Sequence, residues 1–566
     1  MATTTPHRYS HGLTRSLLSS NYCFSSSAFA HPNLRNPKLS LCIRTAAKPS
    51  PKNITGAQRD KAAQDSSPIL DTQISEPDPH PPPGPPLWNS SSPIKGFKVD
   101  GLVWEILSIA FPAALALAAD PIASLVDTAF IGHLGSVELA AAGVAASVFN
   151  FVSKLFNVSL LNVTTSFVAE EQAQLSNDSN VHDDGAAQQS KIILPSVSTS
   201  LALATGLGIA EAIAVCLGSS FLMDTMGIIA DSPMRTPAEQ FLTMRAFGAP
   251  AIVIALATQG TFRGFKDTKT PLYAVGAGNL LNAIMSPLLM FSFGFGISGA
   301  AISTVISEYL IAFILLFKLN DRVILIAPEV NGGRVIRYLK SGALLTGRTL
   351  AVFVTTTLAT SLAARDGPIS MAGHQICFQV WLALSMLTDA LALAGQALLA
   401  SDYSQGNYSR AREVVYKVLQ IGIATGATLG VCLLLWFGAL TSLFSSDSKV
   451  LEIARYGTLF VAVSQPVNAI AFVLDGLYYG VSDFEFAAYS MLLIGLISSI
   501  FLLVATPMFG LAGVWAGLFL LMALRVLAGC LRLGTRTGPW QFLSSSRVLD
   551  SDAADDSLVD KKSEHD

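Results

Sequence analysis

Charge is what this chain has least of. Only 13% of its 566 residues are Asp, Glu, Lys or Arg, against about 25% in an ordinary soluble domain. That scarcity excludes a conventional water-facing surface, and a net charge of −3 gives no basic face for nucleic acid. The six cysteines stand singly at 23, 42, 216, 377, 432 and 530, with no CxxC pair, so neither a zinc site nor a disulfide framework is indicated. Of eight histidines, only His133 and His374 fall in or beside the hydrophobic body, and no cofactor or metal is expected. Neither GxGD nor HExxH occurs, and no Ser/His pair suggests itself, so the chain is not expected to be an enzyme.

Another absence is local. The first 59 residues hold no Asp or Glu, yet carry Arg8, Arg15, Arg35, Lys38, Arg44, Lys48, Lys52 and Arg59 among many Ser, Thr and Ala. Without a continuous apolar core, this is the make-up of an organelle transit peptide, and its serine richness favours the chloroplast. Residues 60–98 turn acidic and proline-rich ("SEPDPHPPPGPPLWNSSSP"), a solvated, disordered linker with polyproline character.

What is abundant is apolar residues, 51% of the chain. Runs such as Ile106 to Ile131, Ile192 to Leu222 and Met491 to Phe509 are long enough to cross a hydrocarbon core of about 30 Å as helices, the form that lipid demands. Hydropathy predicts an all-α polytopic membrane protein with twelve spans. They lie near 104–131, 138–169, 192–224, 238–262, 270–294, 297–318, 340–364, 367–400, 413–444, 452–480, 486–508 and 510–534. The polar stretch between spans two and three, "QLSNDSNVHDDGAAQQSK", is predicted as an inside loop. Even-numbered spans end at loops rich in Lys and Arg, among them Lys266, Arg322, Arg337, Arg410 and Arg532, whereas the other side holds little beyond Arg235, Arg365 and Lys449. Both termini are therefore predicted inside, meaning the stroma.

The body also repeats. "APAIVIALATQGTFRGFKD" (249–267) and "QPVNAIAFVLDGLYYGVSD" (465–483) align without gaps at an offset of 216, pairing Pro250 with Pro466, Gly260 with Gly476, Gly264 with Gly480 and Asp267 with Asp483. "FGISG" (295–299) and "FGLAG" (509–513) follow in each half. Two pseudo-symmetric six-helix lobes are expected, 99–320 and 321–538, with a disordered tail at 539–566. Parallel halves put a solute path on the axis between them, and the two-lobe design needs no partner beyond membrane lipid and the solute, so a monomer is expected.

Span one contains "ALAADPIASLVDTAFIGH" (116–133), with Asp120 and Asp127 in an apolar run. Seven residues apart, they share one helix face about 10 Å from each other. Intramembrane carboxylates are costly and by default mark an ion or substrate path; coupling to H⁺ or Na⁺ is their expected role. Asp127 has an alternative reading as an interfacial charge, and Asp120 as a partner for backbone groups left unpaired by Pro121. Lys154, Glu211, Glu308, Arg348 and Asp389 also lie in apolar surroundings. Arg348, with Lys154 and Asp389, is the candidate substrate contact, because a guanidinium recognises a carboxylate bidentately. The alternative for Arg348 is a structural pair with some buried acid. Asp267, Asp402 and Asp483 are expected to be loop caps and gates.

"SIAFPAAL", "SLVDTAFIGHLG", "AAAG", "RGFKDTKTPL", "GNLLNAIMSPLL" and "GFGISGAAIST" resemble the multidrug and toxic compound extrusion (MATE) transporters, above all their plastid-targeted plant Detoxification subgroup, whose near relatives include citrate exporters. The likeness runs from about 101 to 538. It implies secondary active efflux by two lobes, driven by H⁺ or Na⁺. It places the family's cation-linked aspartate on Asp127, the proline where span one bends on Pro112, and the span-five asparagine on Asn282. One position departs: Ser286 precedes Pro287 where the family pattern has an aspartate, and Asp120 or Glu211 is the candidate to compensate. The function expected is export of a small organic anion, such as citrate or a phenolic acid, across a chloroplast membrane, with the inner envelope favoured. The alternatives are export of cationic or neutral xenobiotics and, further off, a lipid-linked flippase.

Overall fold

A computed structural model describes residues 100–181, 191–226, 228, 231–325, 332–441 and 448–544. The expected transit peptide (1–59) and linker (60–98) lie outside the described residues, as does the tail from 545. The helices of the first half are α1 (Gly101–Gly132), α2 (Ser136–Val181), α3 (Pro195–Thr225), α4 (Arg235–Ala246), α5 (Ala249–Gly264), α6 (Lys269–Pro287) and α7 (Gly296–Asn320). The second half has α8 (Gly332–Arg365), α9 (Pro368–Ser404), α10 (Tyr408–Thr441), α11 (Ser448–Gly480), α12 (Phe484–Phe509) and α13 (Leu511–Thr535).

Eleven of these helices are long and apolar enough to cross a membrane alone, and α4 with α5 forms a twelfth span bent by 46°. The bend falls where Gly248 precedes Pro250: the ring removes a backbone donor, and the Gly248 N–H turns to the Arg245 carbonyl at 2.9 Å. In the second half the corresponding stretch runs unbroken through Pro466, with Ser464 where the first half has Gly248. Span two was expected to end near 169, but α2 continues to Val181 and takes the first part of the predicted loop into the helix.

The repeat is visible in three dimensions. Lys266 and Ser482 both take positive φ, 61° and 57°, and the next residue closes each turn: Asp267 N–H to Phe262 O at 2.9 Å, Asp483 N–H to Tyr478 O at 2.8 Å. Gly260 and Gly476 let helices touch at equivalent places. A Cβ on Gly260 would lie 2.7 Å from the Leu161 carbonyl oxygen of α2, and one on Gly476 2.2 Å from that of Ala392 in α9.

The halves meet at the end of the bundle that carries the basic loops. A single apolar cluster there joins Ile106 and Ile109 of α1, Phe167 of α2, Leu345 of α8, Leu398 of α9 and Leu477 of α11. Toward the opposite end the clusters separate, one built from α1 to α7 and others from α8 to α13. Polar contacts add to the inner seam. Arg410 pairs with Glu105 and Lys417 with Asp100, each at 2.6 Å, and Arg337 with Glu170 at 2.8 Å. Deeper in, Gln396 donates to the Asn162 carbonyl (3.0 Å) and to Ser166 Oγ (2.9 Å), and Ser166 donates to the Tyr479 carbonyl (2.7 Å).

Residues 539–544, expected to belong to a disordered tail, are ordered. Gly538–Leu543 forms a 3-10 turn with Trp540 fully buried, its indole N–H donating to Asp483 at 3.0 Å. Arg412 donates to the Phe542 carbonyl at 2.6 Å. A large aromatic with a buried acceptor for its one donor is ordered despite its polar neighbours.

Candidate functional site

In the first lobe Asp127, Asp120 and Glu211 are each held by an amide partner of their own. Asp127 of α1 accepts through Oδ2 from the Asn282 amide of α6 at 2.7 Å, and Asn282 Oδ1 accepts from the Ser303 hydroxyl of α7 at 2.8 Å. This chain of donors orients the carboxylate and leaves Asp127 Oδ1 buried with no hydrogen-bond partner. An ionised carboxylate held by one oxygen, with the other unpaired, presents a site for a proton or small cation. Ser286, buried one turn beyond Asn282, also acts on Asp127, and its hydroxyl donates to Met290 Sδ at 3.4 Å. The position that carries an acid in the family pattern thus faces Asp127 with a neutral group.

Two turns before Asp127 on α1, Asp120 accepts from Asn279 of α6 at 3.1 Å. Glu308 of α7 is within electrostatic reach of both Asp120 and Arg245 of α4, and the Arg245 guanidinium sits 5.2 Å over the Phe149 ring. Glu211 of α3 stands apart, accepting from Asn157 of α2 at 3.1 Å, while Asn157 also donates to Ser153; its second oxygen, Oε1, is buried without a partner. The proposed compensators therefore occupy different places: Asp120 lies on the Asp127 face, and Glu211 belongs to a separate polar group with Asn157 and Ser153. Pro112 is buried within α1, which the structure shows as one helix through both prolines. In the turn it disrupts, Thr268 donates its hydroxyl to the Ile109 carbonyl at 2.8 Å.

The second lobe carries cations instead. Arg348 of α8 and Arg525 of α13 both donate to Asp475 of α11, and Arg525 stacks 5.1 Å over Phe472. Asp389 of α9 is exposed midway along its helix and interacts with Arg263 of α5, Asp475, Arg348 and Arg525, which puts it on the face toward the other lobe. Arg348 is thus engaged by a buried acid, the alternative that its sequence context left open. The side chain of Lys154 lies outside the described ones.

Asp475 and Arg525 were not singled out from sequence, although Asp475 lies inside the aligned repeat, next to Gly476 and opposite Gln259. A charge interrupting an apolar span was the available signal. Asp267 and Asp483 hold the inner corners: Asp267 accepts from the Thr270 N–H (3.0 Å) and hydroxyl (2.8 Å) and pairs with Arg322 at 2.9 Å. Asp483 pairs with Arg532 at 2.9 Å.

Twelve spans in two like-oriented lobes, sealed at one end and carrying intramembrane charge between and within them, define a secondary transporter of the alternating-access type. The MatE family model matches residues 185–288 and 347–513. The chain is 60% identical to Protein DETOXIFICATION 44, chloroplastic, of Arabidopsis thaliana over 533 residues, 94% of this chain and 98% of that one. It is 50% identical to Protein DETOXIFICATION 45, chloroplastic, of the same plant over 450 residues, 78% and 80% of the two chains. Among solved structures, "Crystal structure of MATE in the bent conformation" aligns with a TM-score of 0.69 at 18% identity, covering 76% of this chain and 95% of that one, a likeness of fold. The chain belongs to the MatE family. It has the MATE fold and is an efflux transporter, not an enzyme.

Proposed function

We propose that this transporter exports a small organic anion across a chloroplast membrane in exchange for H⁺ or Na⁺ taken up at Asp127. The observation that carries the reading is the placement of the arginines. In the first lobe Asp127, Asp120, Glu308 and Glu211 outnumber Arg245 and Arg263; in the second, Arg348 and Arg525 both donate to Asp475, and Asp389, on the face toward the other lobe, is within electrostatic reach of both. Arg348 Nε and Arg525 Nε are buried without an acceptor. Unmet donors on a guanidinium suit a carboxylate-bearing solute, so the acids of the first lobe suit the driving cation and the arginines of the second suit the solute.

The chloroplast assignment is supported by the acid-free first 59 residues and by the names of the two plant relatives; the inner envelope and a monomeric state belong to the same proposal. The test is uptake into inside-out proteoliposomes of the full chain under an imposed pH or Na⁺ gradient, with labelled citrate, labelled 4-hydroxycinnamate and a cationic dye in parallel. Gradient-driven uptake of either anion supports the proposal. Uptake of the dye alone overturns it and makes Arg348 and Arg525 structural.

A further inference from the structure

Arg263 lies in the last turn of α5 and is buried, 6% exposed. Among the described residues its guanidinium has no hydrogen-bond acceptor, and the charge that acts on it is the Asp389 carboxylate of α9, in the other lobe. A guanidinium carries five N–H donors and no acceptor. Withdrawing it from water without a hydrogen-bonded anion is costly, and the fold keeps it there.

Two observations turn this side chain toward the second lobe. In the aligned repeat Arg263 corresponds to Tyr479, and Gln259 to Asp475, at the same offset of 216. Tyr479 stands on the seam: its carbonyl accepts from Ser166 of α2 at 2.7 Å, and the Arg348 guanidinium lies 5.7 Å from its ring centroid. A helical side chain also leans back toward the start of its helix. Arg263, near the inner end of α5, therefore reaches toward the middle of the membrane.

Asp389 is on the matching face of α9. Gln396, seven residues or about two turns further along, donates to the Asn162 carbonyl and to Ser166 Oγ of α2. Ala390 and Leu393 pack with Ala113 of α1. Asp389 itself is exposed, so on a face turned to the other lobe it borders open space. Arg348 and Arg525 act on the same carboxylate from the second lobe. Those two also donate to Asp475, whereas Arg263 has no carboxylate hydrogen-bonded to it among the described residues.

We infer that Arg263 is a substrate-binding residue contributed by the first lobe, and that the solute lies across the seam with one carboxylate on Arg263 and a second on Arg348 and Arg525. The solute class is then a small organic dianion with two separated carboxylates, each taken by a guanidinium fork. Asp389 competes with the solute for the same cations. One molecule held by both lobes binds differently as they move apart, which is what lets a solute bias their arrangement. This deepens the export reading, on which its role in transport rests, by adding a residue and a charge requirement.

The experiment is calorimetric binding of succinate and of butyrate, acids of equal chain length with two carboxylates and one, to the full chain in lipid nanodiscs near neutral pH. The unaltered chain is expected to bind succinate at least about tenfold more tightly, the worth of one charge-assisted pair. Arg263→Gln is expected to bring the ratio of the two affinities close to unity, and Arg263→Lys, which keeps the charge without the fork, to retain part of it. Asp389→Asn removes the competing carboxylate and is expected to tighten succinate binding. Were Arg263 and Asp389 only a structural pair, both substitutions would weaken binding alike and leave the ratio unmoved; that result overturns the inference. So does equal affinity for the two acids on the unaltered chain, a comparison that needs no variant to fold. Equal affinities alongside gradient-driven uptake of either acid leave export standing. A succinate preference lost in Arg263→Gln, without driven transport, upholds the site and removes the export reading.

Discussion

In the proposed exchange, Asp127 is the residue on which coupling turns. Its Oδ2 is oriented by Asn282 and Ser303 and its Oδ1 is unpaired, so it is positioned by neutral donors rather than neutralised by a cation. Ser286 next to it is neutral. Ser286→Asp would set a second carboxylate against the first, and two carboxylates at close range share a proton. This variant is expected to move the pH midpoint of transport upward, measured as initial uptake rate against pH; an unchanged profile would show that position 286 has no part in coupling. In the second lobe the asymmetry of the triad gives a prediction of opposite character. Asp475→Ala removes the carboxylate to which both arginines donate and leaves them only the exposed Asp389 within reach, a loss of up to about 3–5 kcal/mol by analogy with other broken buried pairs, whereas Arg525→Met leaves the pair Arg348–Asp475. Thermal unfolding in detergent is expected to show the larger drop in Tm for Asp475→Ala, and equal drops would contradict the central place of Asp475. Single-sequence reading reached Asp127 and Arg348 through their charge within apolar spans, and Asn282 through a resemblance to known transporters. It did not reach Asp475 or Arg525, because the partner of a buried charge lies on another helix and the relative rotation of helices is not written in either one.

At the scale of elements, the chain's apolar runs, basic loops and gapless repeat made the spans and lobes legible, because those signals are local and periodic. Three features depend on tertiary contact and were not legible: the break between α4 and α5, the extension of α2 and the packed 3-10 turn around Trp540. The corner between α5 and α6 shows how short connections are held. Burial pushes the Asp267 carboxyl up, but hydrogen bonds from the Thr270 N–H and hydroxyl and the Arg322 guanidinium outweigh it and hold the group below the usual carboxylate value. A folded pKa below the unfolded one, about 3.9, means stabilisation that is fully present above the unfolded value and is lost as pH falls through the lower folded one. Asp267→Asn is therefore expected to lower stability by roughly 1–2 kcal/mol near neutral pH, Arg322 being half exposed and screened. The difference in Tm between the two proteins is expected to stay constant from pH 7 to 5 and to shrink below about pH 4. A gap that widens on acidification would assign Asp267 the opposite role.

For the whole molecule, the lobes are joined at the inner end by one apolar cluster and a ring of ion pairs, while toward the outer end each lobe has its own core. This is an arrangement closed on the side of the basic loops. Exposed ion pairs contribute about 0–1 kcal/mol each, so the seam is weakly latched and able to reopen. Removing two latches, Glu105→Ala with Glu170→Ala, is expected to raise labelling of a cysteine placed at Leu398 by a membrane-impermeant maleimide from the inner side, roughly three- to tenfold. Unchanged labelling would assign closure to the apolar cluster alone. The account as a whole rests on a division of labour, with the driving cation at Asp127 and the solute at the second lobe. The measurement that tests it most directly is solute uptake by Asp127→Asn beside the unaltered chain in liposomes, with and without a pH or Na⁺ gradient. The account predicts that accumulation against a solute gradient falls at least tenfold while solute exchange at equilibrium persists. Gradient-driven accumulation by Asp127→Asn at the unaltered rate would contradict it.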